Sequence, residues 1–137
     1  MEKRKLKFVV QKHDATNLHY DFRLEIDRVL KSWAIPKKPL IKIGEKRLAI
    51  LTENHPMSYA NFEGVIPEGN YGAGKVEIWD RGFYENVSDD SAGKCFERGK
   101  IEIKMSGKKL RGNFVLIRMK PNEKFPKKDN WLFMKMK

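Results

Sequence analysis

Residues 18–26, LHYDFRLEI, keep a strict two-residue rhythm. Leu18, Tyr20, Phe22, Leu24 and Ile26 fall on one side of an extended chain; His19, Asp21, Arg23 and Glu25 fall on the other. A helix would scatter these apolar positions around its surface, whereas a strand collects them on one face. The same period recurs along the chain. It predicts short strands at Lys5–Lys12, Leu18–Glu25, Leu30–Ile35, Arg47–Thr52, Lys75–Asp80, Gly82–Asn86, Lys100–Lys104, Asn113–Met119 and Asn130–Met136. IDRV, residues 26–29, reads as a hairpin turn, although it lacks the glycine that favours one. Ser91–Arg98 reads as one short helix, capped by Ser88 or Asp90. PNEKFPKKDN, residues 121–130, reads as a loop. Nine of the ten glycines lie between Gly64 and Gly112, where they suit turns and bends. So many short strands in one domain, residues 1–137, predict an all-β sandwich or barrel, and closure into a barrel would leave no exposed edges. Trp33, Trp79 and Trp131 are expected at core or barrel-end positions.

Charge bounds the partners. The formal net charge is +11, spread along the chain: residues 1–68 hold 13 Lys/Arg against 9 Asp/Glu, and residues 69–137 hold 16 against 9. Such a surface attracts polyanions, nucleic acid before anionic membranes or small phosphates. No apolar run approaches the ~20 residues of a membrane span. The basic start, MEKRKLKFVVQ, lacks the apolar stretch and cleavage site of a signal peptide. The single cysteine, Cys95, can form no internal disulfide, which suits a cytoplasmic protein.

The polar face of residues 18–26 has two readings. A row of His, Asp, Arg and Glu is common on a solvated strand face. His13 favours the second reading. It ends the preceding strand, and the DATN turn would return the chain so that His13 meets His19. Two imidazoles and the Asp21 carboxylate make a three-ligand set for a divalent first-row metal, with coordination positions left open. The third histidine, His55, lies in TENHPMSYANFEG, where Pro56 argues against a continuing helix. It reads either as a surface histidine beside a turn or, with Tyr59 four residues on, as a phosphate-facing loop. IPEGNYGAGKVEIW places Gly69, Gly72 and Gly74 as G-x-x-G-x-G. No Ser or Thr follows Lys75, and a strand rather than a helix comes next, so this is no nucleotide-binding loop. It reads as a structural turn anchored by Glu68 and Tyr71.

Taken together, FVVQKHDATNLHYDFRLEIDRVLKSWAIPK, RLAILTENHPMSYANFEGVIPEGNYGAG and KVEIWDRG closely resemble the 3′-phosphoesterase domain of bacterial DNA ligase D, which also occurs as a stand-alone protein. The resemblance is dense over residues 7–82 and looser through KIEIKMSGKKLRGNFVLIRM. It implies a small closed β-barrel of about eight short strands with one or two short flanking helices. It implies an enzyme of DNA break repair that trims 3′ ends, removing a 3′-ribonucleoside by diester cleavage and then the remaining 3′-phosphate. The cofactor implied is Mn²⁺, with Zn²⁺ or Co²⁺ possible at the same site. Carried across by motif, His13, His19 and Asp21 are the metal ligands, and Arg23 and His55 contact the scissile phosphate. Tyr59 shares the pocket, Lys37 and Arg47 match basic positions lining it, and Gln11 and Glu53 join the phosphate side. Six residues precede Lys7, fewer than in ligase-embedded relatives, which bears on the balance of diesterase and monoesterase activity. Asn54 and Asn61 stand where Asp is common.

The chemistry agrees with that assignment. Phosphoester hydrolysis needs charge neutralised on the phosphoryl oxygens and a positioned water, which a metal provides. Arg23 offers a planar, always-charged fork for phosphate. His55 can donate to a non-bridging or leaving oxygen. No Ser or Cys is arranged for a covalent route, so direct attack by water is expected. Expected partners are primer-template DNA 3′ ends and a DNA ligase, with no membrane. Two other readings fit less of the sequence: a non-catalytic OB-like nucleic-acid-binding barrel, and a metal-dependent ribonuclease or cyclic phosphodiesterase.

Overall fold

A computed structural model describes residues 5–126 and 129–137. Nine strands form in chain order: β1 Leu6–Asp14, β2 Leu18–Ile26, β3 Val29–Ile35, β4 Lys46–Pro56, β5 Gly64–Ile66, β6 Gly74–Asn86, β7 Lys100–Ser106, β8 Arg111–Arg118 and β9 Asn130–Lys135. A 3-10 turn, Met57–Asn61, follows β4, and one helix, α1 Ala92–Arg98, precedes β7. All pairings are antiparallel in the order β1-β2-β3-β4-β9-β8-β7-β6, and β6 returns to β1. Eight strands therefore close on themselves, and β5 adds a short ninth beside the start of β6. Of the sandwich or barrel that the strands predict, the closed barrel implied by the family resemblance is the fold found.

The period-two pattern fills the interior. Phe22, Leu24 and Ile26 of β2 are fully buried, and they join Phe8, Trp33, Tyr84, Ile101, Phe114, Trp131 and Phe133 in one core. Phe114 stacks on Phe133 with centroids 5.1 Å apart, and Trp33 meets Trp131 edge-on at 5.4 Å. Trp79 is only partly buried and packs against that core. The helix adds a cover: Cys95 is buried and Phe96 stacks on Trp131 at 5.6 Å. No helix among the described residues is long and apolar enough to cross a membrane.

Four local expectations change. The segments 75–80 and 82–86 are one long strand, β6. It stays continuous past a register shift opposite Val10/Gln11, where Asp80 and Ile78 are the partners. Gly82 lets β6 pass the β7 end, since a Cβ there would run into the Ser106 carbonyl. The helix is capped by Ser91 itself, whose hydroxyl accepts from Lys94 N at 3.2 Å; neither Ser88 nor Asp90 is the cap. His55 is not in a loop, because β4 runs on to Pro56. Finally, Glu68 and Tyr71 anchor nothing in the glycine-rich turn; both are exposed. The IDRV turn forms with Ile26 opposite Val29, and Asp27 and Arg28 adopt positive φ of 53° and 67° without glycine. The loop at 121–130 is strand-free from 121 to 126, while Lys127 and Lys128 lie outside the described residues.

Candidate metal centre and phosphate pocket

The β1–β2 hairpin sets the site. Its register pairs His13 with His19 and Gln11 with Asp21, so the outward side chains of both strands sit together. The two imidazoles lie 4.7 Å apart between centroids. One ligand atom from each of His13, His19 and Asp21 falls within 4.8 Å of the others. A carbonyl can only accept, and two carbonyls therefore fix the tautomers. His13 Nε2 donates to Gly72 O at 2.7 Å, which leaves Nδ1 a lone pair, 3.3 Å from Asp21 Oδ2. His19 Nδ1 donates to Asn17 O at 3.0 Å, which leaves Nε2 a lone pair, 3.2 Å from Asp21 Oδ1. Three lone-pair carriers thus converge, an arrangement that needs a cation or a proton between them. Backbone carbonyls behind both rings are the usual support of metal-ligating imidazoles, so this donor set fits a divalent first-row metal. Without an ion, a proton on His19 is favoured there. The hydrogen bond to Asp21 raises the His19 pKa against the opposing effect of burial. Burial pushes the Asp21 carboxyl up, but the His19 hydrogen bond and the Arg23 charge more than offset it and the net shift is downward.

Arg23 stands next on the same face and is 3% exposed. Its Nε donates to Gln11 Oε1 at 2.6 Å, and Nη1 donates to Ser32 Oγ at 2.8 Å and to His55 Nδ1 at 3.0 Å. Nη2 faces Asp21 Oδ2 at 3.4 Å and is the nitrogen with donors to spare. The guanidinium is held in plane on three sides and aimed by its neighbours. The solvated-face reading fails here because the 3-10 turn covers β2. Tyr59 lays its ring over Arg23 at 4.9 Å, packs beside His55 at 4.7 Å and stacks on Phe62 at 5.0 Å. Gln11 Nε2 ties that turn down through Tyr59 O (2.8 Å) and Phe62 O (3.2 Å). Burial, then the Arg23 charge, lowers the His55 pKa, so this ring is neutral at pH 7 in the free protein. His55 Nδ1 also faces Glu53 O at 3.1 Å, which can only accept; the shorter contact, from the donor-only Arg23, favours the ring's one proton on Nε2.

A cavity of about 1170 Å³ opens over these groups, lined by His13, His19, Asp21, Arg23, Glu53, His55 and Tyr59 with the 15–17 and 70–73 loops. Gln11 lies beneath Arg23, completely buried, rather than in the cavity. Lys37 is exposed and outside the lining. Arg47 is also outside it, donating to Lys38 O at 2.9 Å and Lys46 O at 3.1 Å.

The sequence pattern of the DNA ligase D 3′-phosphoesterase domain matches residues 11–118. The chain belongs to that family. Within the 3′-phosphoesterase family it is 48% identical, over 96% of its length, to the multifunctional non-homologous end joining protein LigD of Pseudomonas aeruginosa. It is 45% identical over 95% to the LigD of Mycobacterium tuberculosis, and 43% over 96% to that of Mycolicibacterium smegmatis. The chain spans only 15%, 16% and 17% of those three proteins.

The structure adds members to this candidate site that the sequence reading did not name. Ser32 holds Arg23, and the carbonyls of Gly72 and Asn17 hold the two imidazoles. Ser32 left a signal: a two-residue turn at Asp27–Arg28 pairs residue 23 with residue 32. The two carbonyls left none, because a backbone oxygen has no letter of its own.

Proposed function

We propose that this chain is a divalent-metal-dependent phosphoesterase that heals DNA 3′ ends during break repair. It removes a 3′-terminal ribonucleoside by diester cleavage and then the 3′-phosphate that remains, working with a DNA ligase in the cytoplasm. The observation that carries the reading is the convergence of His13 Nδ1, His19 Nε2 and Asp21 beside an Arg23 fixed on three sides. His13, His19 and Asp21 would hold the metal, with Mn²⁺ the favoured ion and Zn²⁺ or Co²⁺ alternatives, since nitrogen–carboxylate sites discriminate poorly. When bound, such an ion supplies Lewis acidity toward a phosphoryl group and makes water a better nucleophile.

The chain's own residues do the rest. Arg23 offers its Nη2 donors to non-bridging phosphoryl oxygens, and its other donors are already committed, so it costs no reorganisation as charge develops. His55, neutral in the free protein, donates a hydrogen bond through Nε2 and orients the phosphoryl group instead of delivering a full proton. Tyr59 keeps water away from the Arg23 plane on one side. Glu53, exposed at the cavity wall, would meet a hydroxyl of the terminal sugar. Lys37 lies outside the cavity and would touch backbone phosphates further along the strand.

An end-processing assay tests the proposal. Labelled primer-templates ending in 3′-ribonucleoside, 3′-phosphate or 3′-hydroxyl are incubated with Mn²⁺ or with EDTA. Conversion of the first two to 3′-hydroxyl ends with Mn²⁺ alone is expected. Equal conversion in EDTA, or binding without conversion, would refute it.

A further inference from the structure

We propose that Tyr71 is a stacking platform for the base of the 3′-terminal nucleotide, seating the end so that its phosphate meets Arg23. The inference deepens the phosphoesterase reading and rests on it. Tyr71 is 97% exposed, more than any other large apolar side chain described, and it alone of those exposed side chains lines the cavity that holds His13, Arg23 and His55. A ring left in water forgoes the free energy that aromatic burial provides. The loop beneath has a defined backbone. Gly69 and Gly72 adopt φ of 87° and 77°, and Ala73 N donates to Asn70 O at 3.2 Å. The carbonyl of Gly72, the next residue, accepts from His13 Nε2 at 2.7 Å. Tyr71 is therefore presented from a backbone fastened directly to a candidate metal ligand.

Ala15, Thr16 and Asn17, none of them charged, line the same cavity. Recognition through a π-face serves every base alike. An activity on breaks of arbitrary sequence requires that tolerance.

The test compares wild type, Tyr71→Ala, Tyr71→Phe and Tyr71→Trp. The first substrate is a 3′-phosphorylated primer-template with a normal terminal base; the second has an abasic terminal nucleotide. On the normal end Tyr71→Ala should raise KM about 5- to 150-fold, the range that loss of one stacked base implies, with kcat little changed. Phe and Trp should restore wild-type KM. On the abasic end all four proteins should share one elevated KM. A second readout needs no turnover: a 3′-hydroxyl strand ending in 2-aminopurine should lose fluorescence on binding wild type and keep it with Tyr71→Ala. Equal quenching by the two proteins, or a KM penalty of Tyr71→Ala that persists on abasic ends, overturns the proposal. If wild type quenches the probe yet hydrolyses neither end, the phosphoesterase reading fails while the stacking contact stands.

Discussion

At the scale of single residues, the site is organised around one proton on His55. Arg23 cannot accept a hydrogen bond, so its contact at 3.0 Å, shorter than the 3.1 Å from Glu53 O to the same atom, favours an accepting His55 Nδ1 and a proton on Nε2. Desolvation and the neighbouring guanidinium both disfavour the imidazolium. A group in that state works as a fixed dipole, as a backbone N–H would, and its job is separable from titration. His55→Gln keeps an N–H donor at similar reach without an ionisable ring; His55→Ala keeps neither. We expect Ala to lower kcat by about 10²–10³-fold, the usual cost of one oxyanion donor, and Gln to recover a large part of that loss. Steady-state kinetics on a 3′-phosphorylated primer-template decide it. If Gln is as impaired as Ala, His55 transfers a proton and the dipole argument is wrong.

At the scale of elements, the β1–β2 hairpin stores a protonation equilibrium. In the metal-free protein the raised pKa of His19 means that its contact with Asp21 contributes fully below the unfolded value of 6.5 and is lost as pH rises through the folded one. Asp21 has the opposite sign. Its lowered pKa contributes above the ordinary 3.8 and is lost as pH falls through the lower value. The pair therefore helps most between those limits. EDTA-treated protein should lose a few degrees of Tm or less between about pH 6 and about pH 8.5, and His19→Gln should lose less over the same interval. Mn²⁺ at the higher pH should restore wild type, because the ion takes the departed proton's place. Identical slopes for wild type and variant would show that the pair does not form. This hairpin was also the most legible part of the chain. Alternation in LHYDFRLEI names the buried face, and the DATN turn brings His13 to His19. What covers the outer face was not legible. Arg23 and Asp21 look solvated because the turn carrying Tyr59 lies 36 positions beyond Arg23 in sequence, and the contact depends on how β3 and β4 pack between them. Pro56 suggested a loop around His55, yet it ends β4 just past a register irregularity opposite Leu30/Ser32, and proline is tolerated at bulges.

At the scale of the molecule, the barrel separates its stability from its chemistry by putting them on opposite faces of the same strand. Asp21 and Phe22 are neighbours, but Phe22 points inward, its ring 4.9 Å from that of Phe133 in the core, while Asp21 points outward to the two imidazoles. Closure makes that separation robust, since every barrel strand is paired on both sides and the outer polar network is not needed to hold the sheet. Asp21→Asn keeps the volume and removes the charge that balances a bound cation, so turnover with Mn²⁺ should fall below detection while urea unfolding stays within about 1 kcal/mol of wild type. Phe22→Ala should do the reverse, costing about 3–5 kcal/mol in the same unfolding experiment, with turnover per folded molecule largely kept. The comparison is informative because the residues are adjacent: a local distortion of β2 would damage both properties in both variants. If Asp21→Asn unfolds as easily as Phe22→Ala, the outer network is part of the framework, and the division of labour between the two faces does not hold.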